Sequence, residues 1–289
     1  MDESIDRGDA YEKALAARMA RVYNNALRES VASLKDFWAK MELVRKGKIT
    51  PPPWYDEAQK KKWLEGFAKQ EARLSDNVKM IAERMNEAGV QCAADIQDFV
   101  ANVYADNYGY VRKIALDGRA KVTVRSSFSI FDERELEVLK QTLQTPFSKI
   151  AYKRMGDNPE IVSALSDTLM QGIMQGESQR KLISRIRTIT GQSLYQAKRV
   201  AQTERTRVQS QARYDGMTDA ANMGIVMYKQ WTTRMVNSRD THIALNGKEI
   251  RNDEVFANGL RYPGDPNGVA SEVINCHCVL IPVVKRRGK

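Results

Sequence analysis

Histidine and cysteine are the scarce residues of this sequence, with two histidines and three cysteines among 289 residues. So few cysteines cannot form a disulfide framework for a chain of this length, which favours a reducing compartment. No run approaches the ~18 consecutive apolar residues of a membrane-spanning helix, so we expect no membrane association. The acidic start, residues 1–4, lacks the apolar segment of a secretory signal. Phosphate-binding glycine loops, HExxH and GxSxG are also missing, and we therefore expect a protein that is not an enzyme.

The hydrophobic pattern predicts an α+β protein with three consecutive regions. Apolar residues at helical spacing predict a long helical N-terminal region over 1–115, interrupted at Gly89. A linking region over 116–176 begins with a strand at 120–130, where β-branched residues alternate with polar ones, and continues as helices, one of which starts at Asn158-Pro159. The third region, 177–289, combines helices with a small antiparallel sheet. Its predicted elements are a helix from Ser178 to Gly191, a helix from Ser193 to about Asn222, a helical turn capped by Ser238, and strands at 225–233, 248–250, 273–274 and 279–284.

Residues 180–213 are strongly basic, with nine lysines and arginines against one acid. Basic side chains along helices neutralise phosphates, which predicts non-specific, salt-sensitive binding of double-stranded DNA. A solvated helical face without a ligand is the alternative. The predicted DNA-binding residues are Arg180, Lys181, Arg185, Arg187, Lys198, Arg199, Arg205 and Arg213.

The single acid of this window, Glu204, falls in the middle of the apolar face of its helix. A carboxylate in such a position must be paired, hydrogen-bonded or protonated. Arg207 follows three residues later and flanks the same face, so we predict a structural ion pair between the two. A catalytic acid or a metal ligand is the other interpretation of Glu204.

Four of the five histidine and cysteine residues lie between positions 242 and 278. Thiolates and imidazole are preferred zinc ligands, and on a strand Cys276 and Cys278 point to the same face. The residue between them points away, which makes His242 the better third ligand, with Asp240 or Glu204 as a fourth. The pattern predicts a structural zinc site formed by His242, Cys276, Cys278 and Asp240. Two small buried thiols that pack a final strand are the alternative.

Two enzymatic interpretations remain open beside a non-catalytic role. One is a zinc-dependent nuclease or toxin-type effector built on the same zinc ligands, although two thiolates favour a closed structural site. The other follows from residues 125–127 (RSS) and 135–137 (ELE), which faintly resemble an ADP-ribosyltransferase arrangement. Glutamates are favoured at a helix N-terminus in any case, because they complement the helix dipole.

The last third of the chain resembles the Mu F-like family of bacteriophage minor head (head morphogenesis) proteins. Residues 201–207 (AQTERTR) resemble the family's Ala-Arg-Thr-Glu-x-x-Arg helix. Trp231 with residues 239–247 (RDTHIALNG) resembles its Trp … Asp-x-x-x-Arg-x-x-His-x-x-x-Asp-Gly stretch. Residues 262–266 (YPGDP) and 272–278 (EVINCHC) resemble its Tyr-Pro-Gly-Asp-Pro … Asn-Cys-Arg-Cys ending.

This resemblance covers about residues 177–284 and departs from the family at two positions. His277 stands where arginine is usual, which indicates a surface or packing position, and Asn246 stands where aspartate is usual. The resemblance implies a low-copy virion protein, made in the bacterial host cytoplasm and placed inside the head near the portal vertex. It also implies roles in head assembly and in DNA contact or ejection. The implied partners are the portal protein, a scaffold or major capsid protein, and double-stranded DNA.

Overall fold

The structure, a computed structural model, describes residues 3–33, 39–40, 42–44, 46–74, 76–117, 133–174, 179–235 and 238–285. It is mostly helical with one small antiparallel sheet, which confirms the predicted α+β class. The helices that precede the sheet in the chain are α1 (Glu3–Ser33), α2 (Glu57–Leu74), α3 (Asp76–Asp117), α4 (Glu133–Thr142), α5 (Pro146–Gly156), α6 (Pro159–Met174) and α7 (Gln179–Asn222).

The sheet has the strand order β2-β1-β3, and both pairings are antiparallel. Its strands are β1 (Met227–Thr232), β2 (Glu249–Arg251) and β3 (Val279–Val284), with two four-residue helices, α8 (Asp240–Ile243) and α9 (Ala270–Val273), in the connections. Residue 273 therefore belongs to a helix and not to the predicted strand. Arg239, and not Ser238, precedes α8 as its cap residue, without a side-chain capping bond.

Two glycines that were expected to interrupt helices lie inside continuous ones. Gly191 is within α7, so the two predicted helices over 178–222 are one helix. Gly89 is within α3, where an added Cβ would lie 1.6 Å from the carbonyl oxygen of Met155. A glycine costs a helix only about 1 kcal/mol. At Gly89 its small size is what allows the close approach of α5.

Packing divides the chain into two compact units, each built from separate segments. Unit 1 comprises residues 1–16, 94–151 and 198–289, and unit 2 comprises residues 17–93 and 152–197. These units group residues by packing and not by position along the chain. They therefore do not test the predicted division into three consecutive regions, which stays a prediction. The strand predicted over 120–130 lies outside the described residues. Among the described helices, none is long and apolar enough to cross a membrane.

In unit 2, α2 packs on α6. Asn158 caps α6, because its side-chain oxygen accepts a hydrogen bond from the backbone of Glu160 at 3.2 Å, as the Asn-Pro start predicts. In unit 1, the core between the sheet and α7 is centred on Trp231, which is fully buried and makes an edge contact with Phe256. Cys276 and Cys278 belong to this core, and His242 packs against it.

Candidate metal centre and its supporting helix

The structure brings His242, Cys276 and Cys278 together in the core of unit 1. All three are buried, and their potential ligand atoms lie within 4.8 Å of one another. Nδ1 of His242 is 3.6 Å from Sγ of Cys276 and 3.4 Å from Sγ of Cys278. Asp240 is exposed on the first residue of α8 and does not join this cluster of described residues.

Glu272 holds the outer edge of the imidazole ring. Its Oε2 lies 2.9 Å from Nε2 of His242, and since a carboxylate only accepts hydrogen bonds, Nε2 carries the proton. The other ring nitrogen, Nδ1, faces the two sulfur atoms. Glu272 was within a quoted family block, but its contact with a residue 30 positions earlier has no local sequence signal.

The backbone and ring of His242 are fixed by two further contacts. The hydroxyl of Thr233 donates a hydrogen bond of 2.8 Å to the carbonyl oxygen of His242. The ring of Trp231 meets the imidazole edge-on with centroids 5.0 Å apart. Trp231 lies in β1 and Thr233 directly follows the strand, so the strand itself determines where the imidazole lies.

The loop that carries the cysteines is anchored to α7. The side chains of Gln202 and Thr206 donate to the carbonyl oxygen of Cys276 at 3.0 and 2.5 Å. The backbone N–H of Asn275 donates to Thr203 Oγ1 at 2.9 Å, and Asn275 adopts a left-handed conformation with φ of 56°. Asparagine tolerates this conformation better than most residues. Two sequence blocks 70 residues apart thus form one hydrogen-bonded unit.

The third block, residues 262–266, packs on the same helix. Gly264 has φ of 76°, and an added Cβ would lie 2.9 Å from the backbone nitrogen and Cα of Arg207. Only glycine fits a left-handed position this close to another backbone. Asp265 accepts hydrogen bonds from the side chain of Arg261 and from the backbone of Asn267, and these keep the loop compact.

The two thiols have opposite ionisation preferences. The hydrogen bond between them, together with burial, raises the pKa of Cys276, whereas the hydrogen bond from Cys276 lowers the pKa of Cys278 to about 4. His277, between them, is half-buried, and burial lowers its pKa. The structure therefore places two sulfur atoms and one imidazole nitrogen around a common point.

Glu204 and Arg207 form the predicted ion pair on α7. Arg207 Nη2 donates to Glu204 Oε2 at 2.7 Å, and both side chains are buried. The same nitrogen also donates to the carbonyl oxygen of Leu143 at 2.7 Å, and Nη1 donates to Gln211. Both residues line a cavity of about 300 Å³. Glu204 is not part of the histidine–cysteine cluster.

The basic window divides into exposed and buried side chains. Arg205 is buried and paired with Asp9 and Glu12 of α1, and Arg213 is buried and donates to Asn107 and to the carbonyl oxygen of Leu280. These two arginines belong to the core of unit 1, and we correct their assignment as DNA-contacting residues on that ground. The predicted DNA-binding residues outside the core are Arg180, Lys181, Arg185, Arg187, Lys198 and Arg199.

Sequence reasoning also missed two charged clusters of unit 1. Asp9 is bound by Arg205 and, at 2.6 Å, by Arg234; burial opposes its charged form, but these two arginines hold its pKa below the usual value. Lys229 lies on the core face of β1 and donates to the carbonyl oxygens of Asn252 and Glu254. These acceptors lie 23 and 25 residues after Lys229, so no local sequence pattern indicates them.

The comparisons with known proteins agree with this arrangement. Residues 163–281 match the model of the family described as Phage Mu protein F like protein. This segment contains α7, β1, β2 and the histidine–cysteine cluster. Residues 163–281 thus match the Mu F-like family of phage head morphogenesis proteins, as the sequence blocks predict.

Three relatives extend the similarity. The NAD(+)--arginine ADP-ribosyltransferase EFV of Enterococcus faecalis (strain ATCC 700802 / V583) is 28% identical over 234 residues, which are 78% of this chain and 48% of that protein. The minor head protein GP7 of Bacillus phage SPP1 is 24% identical over 221 residues, 73% of this chain and 68% of that protein. The uncharacterized protein YqbB of Bacillus subtilis (strain 168) is 27% identical over 125 residues, 42% of this chain and 41% of that protein.

The chain spans about half the length of the first of these relatives, so the activity in that name belongs to a protein twice as long as the shared part. No solved structure matches the chain.

Proposed function

We propose that this chain is a low-copy minor head protein that lies inside a phage head near the portal vertex and acts in head assembly. The observation that carries the proposal is the family match over residues 163–281, which includes the three sequence blocks that the structure packs together. The similarity to the SPP1 minor head protein supports it, because it covers about two thirds or more of both chains. Portal, scaffold and major capsid proteins are the proposed partners.

The test is to delete the gene from the phage that carries it, and to complement the deletion with a tagged copy. We expect purified heads to contain a few copies of the protein per several hundred major capsid subunits by quantitative mass spectrometry. Antibody labelling is expected at one vertex, and cross-linking is expected to recover the portal protein. Absence of the protein from washed heads, or even labelling of all vertices, contradicts the proposal.

Truncation of the N-terminal region is a poor test of partner contact. Asp9 and Glu12 of α1 pair with Arg205, so removal of the N-terminal residues opens the core of unit 1.

A single surface substitution is a cleaner test of partner contact. Trp54 is 79% exposed, the highest value among the large apolar side chains that the structure describes. Exposed aromatic residues mark contact surfaces. We expect Trp54→Ala to reduce incorporation into heads, whereas Val269→Ala, with 65% exposure in unit 1, leaves it unchanged.

We also propose contact with packaged DNA through the exposed basic side chains of α7. Arg180 and Arg187 are seven residues apart and therefore lie on one face of the helix, and Lys181 adjoins them. Lys198 and Arg199 are a further exposed pair. No zinc finger or basic zipper accompanies them, so we expect binding that is independent of base sequence.

Filter binding against salt tests the DNA contact. With up to six phosphate contacts, the logarithm of the binding constant is expected to fall with the logarithm of salt with a slope of about −5. Replacing Arg180, Lys181 and Arg187 by Gln is expected to reduce the slope by about 3. The matched control, Lys60, Lys61 and Lys62 of α2 replaced by Gln, removes the same charge and keeps the slope. A slope near zero in the unmodified protein refutes the proposal.

Direct assays test the two enzymatic functions, ADP-ribosyl transfer and DNA cleavage. For the ADP-ribosyltransferase named among the relatives, we expect no transfer of ADP-ribose from NAD+ to arginine, since Glu137 of the sequence-based candidate is an exposed helix residue paired with Lys140. For a zinc nuclease, three protein ligands leave a coordination position open, but the cluster is buried. We expect plasmid DNA to remain intact with or without chelator, and cleavage in either assay assigns an enzyme.

A further inference from the structure

We propose that His242, Cys276 and Cys278 bind one zinc ion, and that Glu272 is the positioning residue that holds the imidazole towards it. The ion would link the two cysteines, which directly precede β3, to His242 of α8. This inference is independent of the proposed role in heads, because it concerns the chemistry of one buried cluster.

The distances between the ligand atoms fit a tetrahedral ion. Zinc binds sulfur at about 2.3 Å and imidazole nitrogen at about 2.0–2.1 Å, which places tetrahedral nitrogen and sulfur ligands about 3.5 Å apart. Nδ1 of His242 is 3.6 and 3.4 Å from the two sulfurs, so both nitrogen–sulfur distances already match those of a tetrahedral zinc site.

The chemistry of the donors selects a soft cation. Two thiolates and an imidazole favour zinc over magnesium or calcium, which prefer oxygen ligands. The proton on Nε2, directed at Glu272, leaves Nδ1 as the ligand atom. A carboxylate that accepts from the outer nitrogen is the arrangement that orients metal-bound histidines and raises their basicity.

The cluster is held rigidly before any ion binds. The carbonyl oxygen of Cys276 accepts from Gln202 and Thr206, and the carbonyl oxygen of His242 accepts from Thr233. Ligands fixed in this way lose little conformational freedom on binding. Three described side chains form the cluster, and a water molecule is the simplest fourth ligand.

Metal analysis of the full chain tests the site. Protein purified without chelating tags is expected to contain one equivalent of zinc, and Co2+ substitution is expected to give the charge-transfer absorption of two thiolates. Cys276→Ser and Cys278→Ser are each expected to lose about half of this absorption, whereas Cys92→Ser, a buried cysteine of unit 2, keeps it all. Less than a tenth of an equivalent after zinc loading, or another metal in place of zinc, overturns the proposal.

Because the serine variants can fail to fold, a second measurement uses the unmodified protein alone. Zinc is titrated against a chromophoric chelator in competition with the protein, and the melting temperature is followed with and without the bound ion. A stoichiometric, high-affinity site that raises the melting temperature supports the proposal. Unchanged melting together with no competition contradicts it.

The role of Glu272 is tested by affinity and not by stability. Loss of such a partner typically weakens metal binding 10–100-fold, so Glu272→Ala is expected to do so while the metal-free protein melts at an unchanged temperature. Glu272→Gln keeps an acceptor for the Nε2 proton and is expected to recover most of the affinity. The control is Asp240→Ala, an exposed acid on α8, the short helix that carries His242. Equal weakening in the control would show that Glu272 has no special part.

Discussion

Glu204→Gln is the substitution whose effect the structure defines best. Glu204 and Arg207 are both buried, and the guanidinium has no other carboxylate among its hydrogen-bond partners in the described residues. The variant removes the negative charge and leaves a buried cation. Breaking a buried pair in this way costs about 3–5 kcal/mol.

The surroundings place the expected loss at the lower end of that range. Arg207 keeps its bonds to Leu143 and Gln211, and its side chain lines a cavity large enough for water molecules. We therefore expect about 3 kcal/mol, which lowers the melting temperature of a chain of this size by about 6–12 °C. Hydrogen exchange of the β1 amides, which lie in the core of unit 1, reports the change locally.

Two further variants make this prediction refutable. Glu137→Gln removes a carboxylate from an exposed pair with the same i,i+3 spacing, formed with Lys140, and should cost at most about 1 kcal/mol. Glu204→Leu combined with Arg207→Met removes both charges and should recover most of the stability lost in the single variant. If Glu204→Gln costs no more than Glu137→Gln, the argument from buried charge is refuted.

Three more substitutions have effects that the structure predicts. Burial, followed by the charge of Arg261, lowers the pKa of Lys229 from 10.5 to about 8; between these values the unfolded chain binds more protons, so stability rises with pH. The stability of the unmodified protein relative to Lys229→Met should therefore increase from pH 8 to 10 in urea titrations. Gly89→Ala should destabilise unit 2 by several kcal/mol, because its methyl group meets the carbonyl oxygen of Met155. Gly264→Ala should cost about 2 kcal/mol or more through its positive φ and its contact with α7, measured by thermal unfolding.

Gly191→Ala is the control for both glycine predictions, because it is expected to stabilise the protein and not to destabilise it. Gly191 is also inside a helix, but nothing lies within 4 Å of an added Cβ. Gly191→Ala is therefore expected to stabilise the protein by about 0.5–1 kcal/mol. A stabilised Gly89→Ala, or a pH-independent difference for Lys229→Met, would contradict the packing described above.

Local pattern predicted the elements that depend on neighbouring residues. The strand-favouring residues of 225–233 predicted β1, the Asn-Pro pair predicted the start of α6, and the spacing of Glu204 and Arg207 predicted their pair. Each of these signals lies within a few residues, where sequence spacing determines geometry. The juxtaposition of His242 with the cysteines was proposed from zinc chemistry, and the structure places them together.

Long-range partners were beyond such reasoning. The basic residues of 180–213 are evident in the sequence. No local pattern, however, indicates that Arg205 contacts Asp9, which lies 196 residues earlier. The stop predicted at Gly89 likewise does not include the packing of α5 against α3 that favours a glycine. In both cases the deciding partner is distant in sequence and carries no periodic signal.

The ion pairs between α1 and Arg205 have a consequence for the order of events during synthesis. Residues 1–16 leave the ribosome before residues 94–151 and 198–289, the other segments of their unit. At about 5–20 residues per second, Asp9 and Glu12 wait roughly ten seconds or more for Arg205. Unit 1 therefore cannot close during synthesis before residues 198–289 emerge, so a product that terminates ahead of them exposes an unfinished core to cellular proteases.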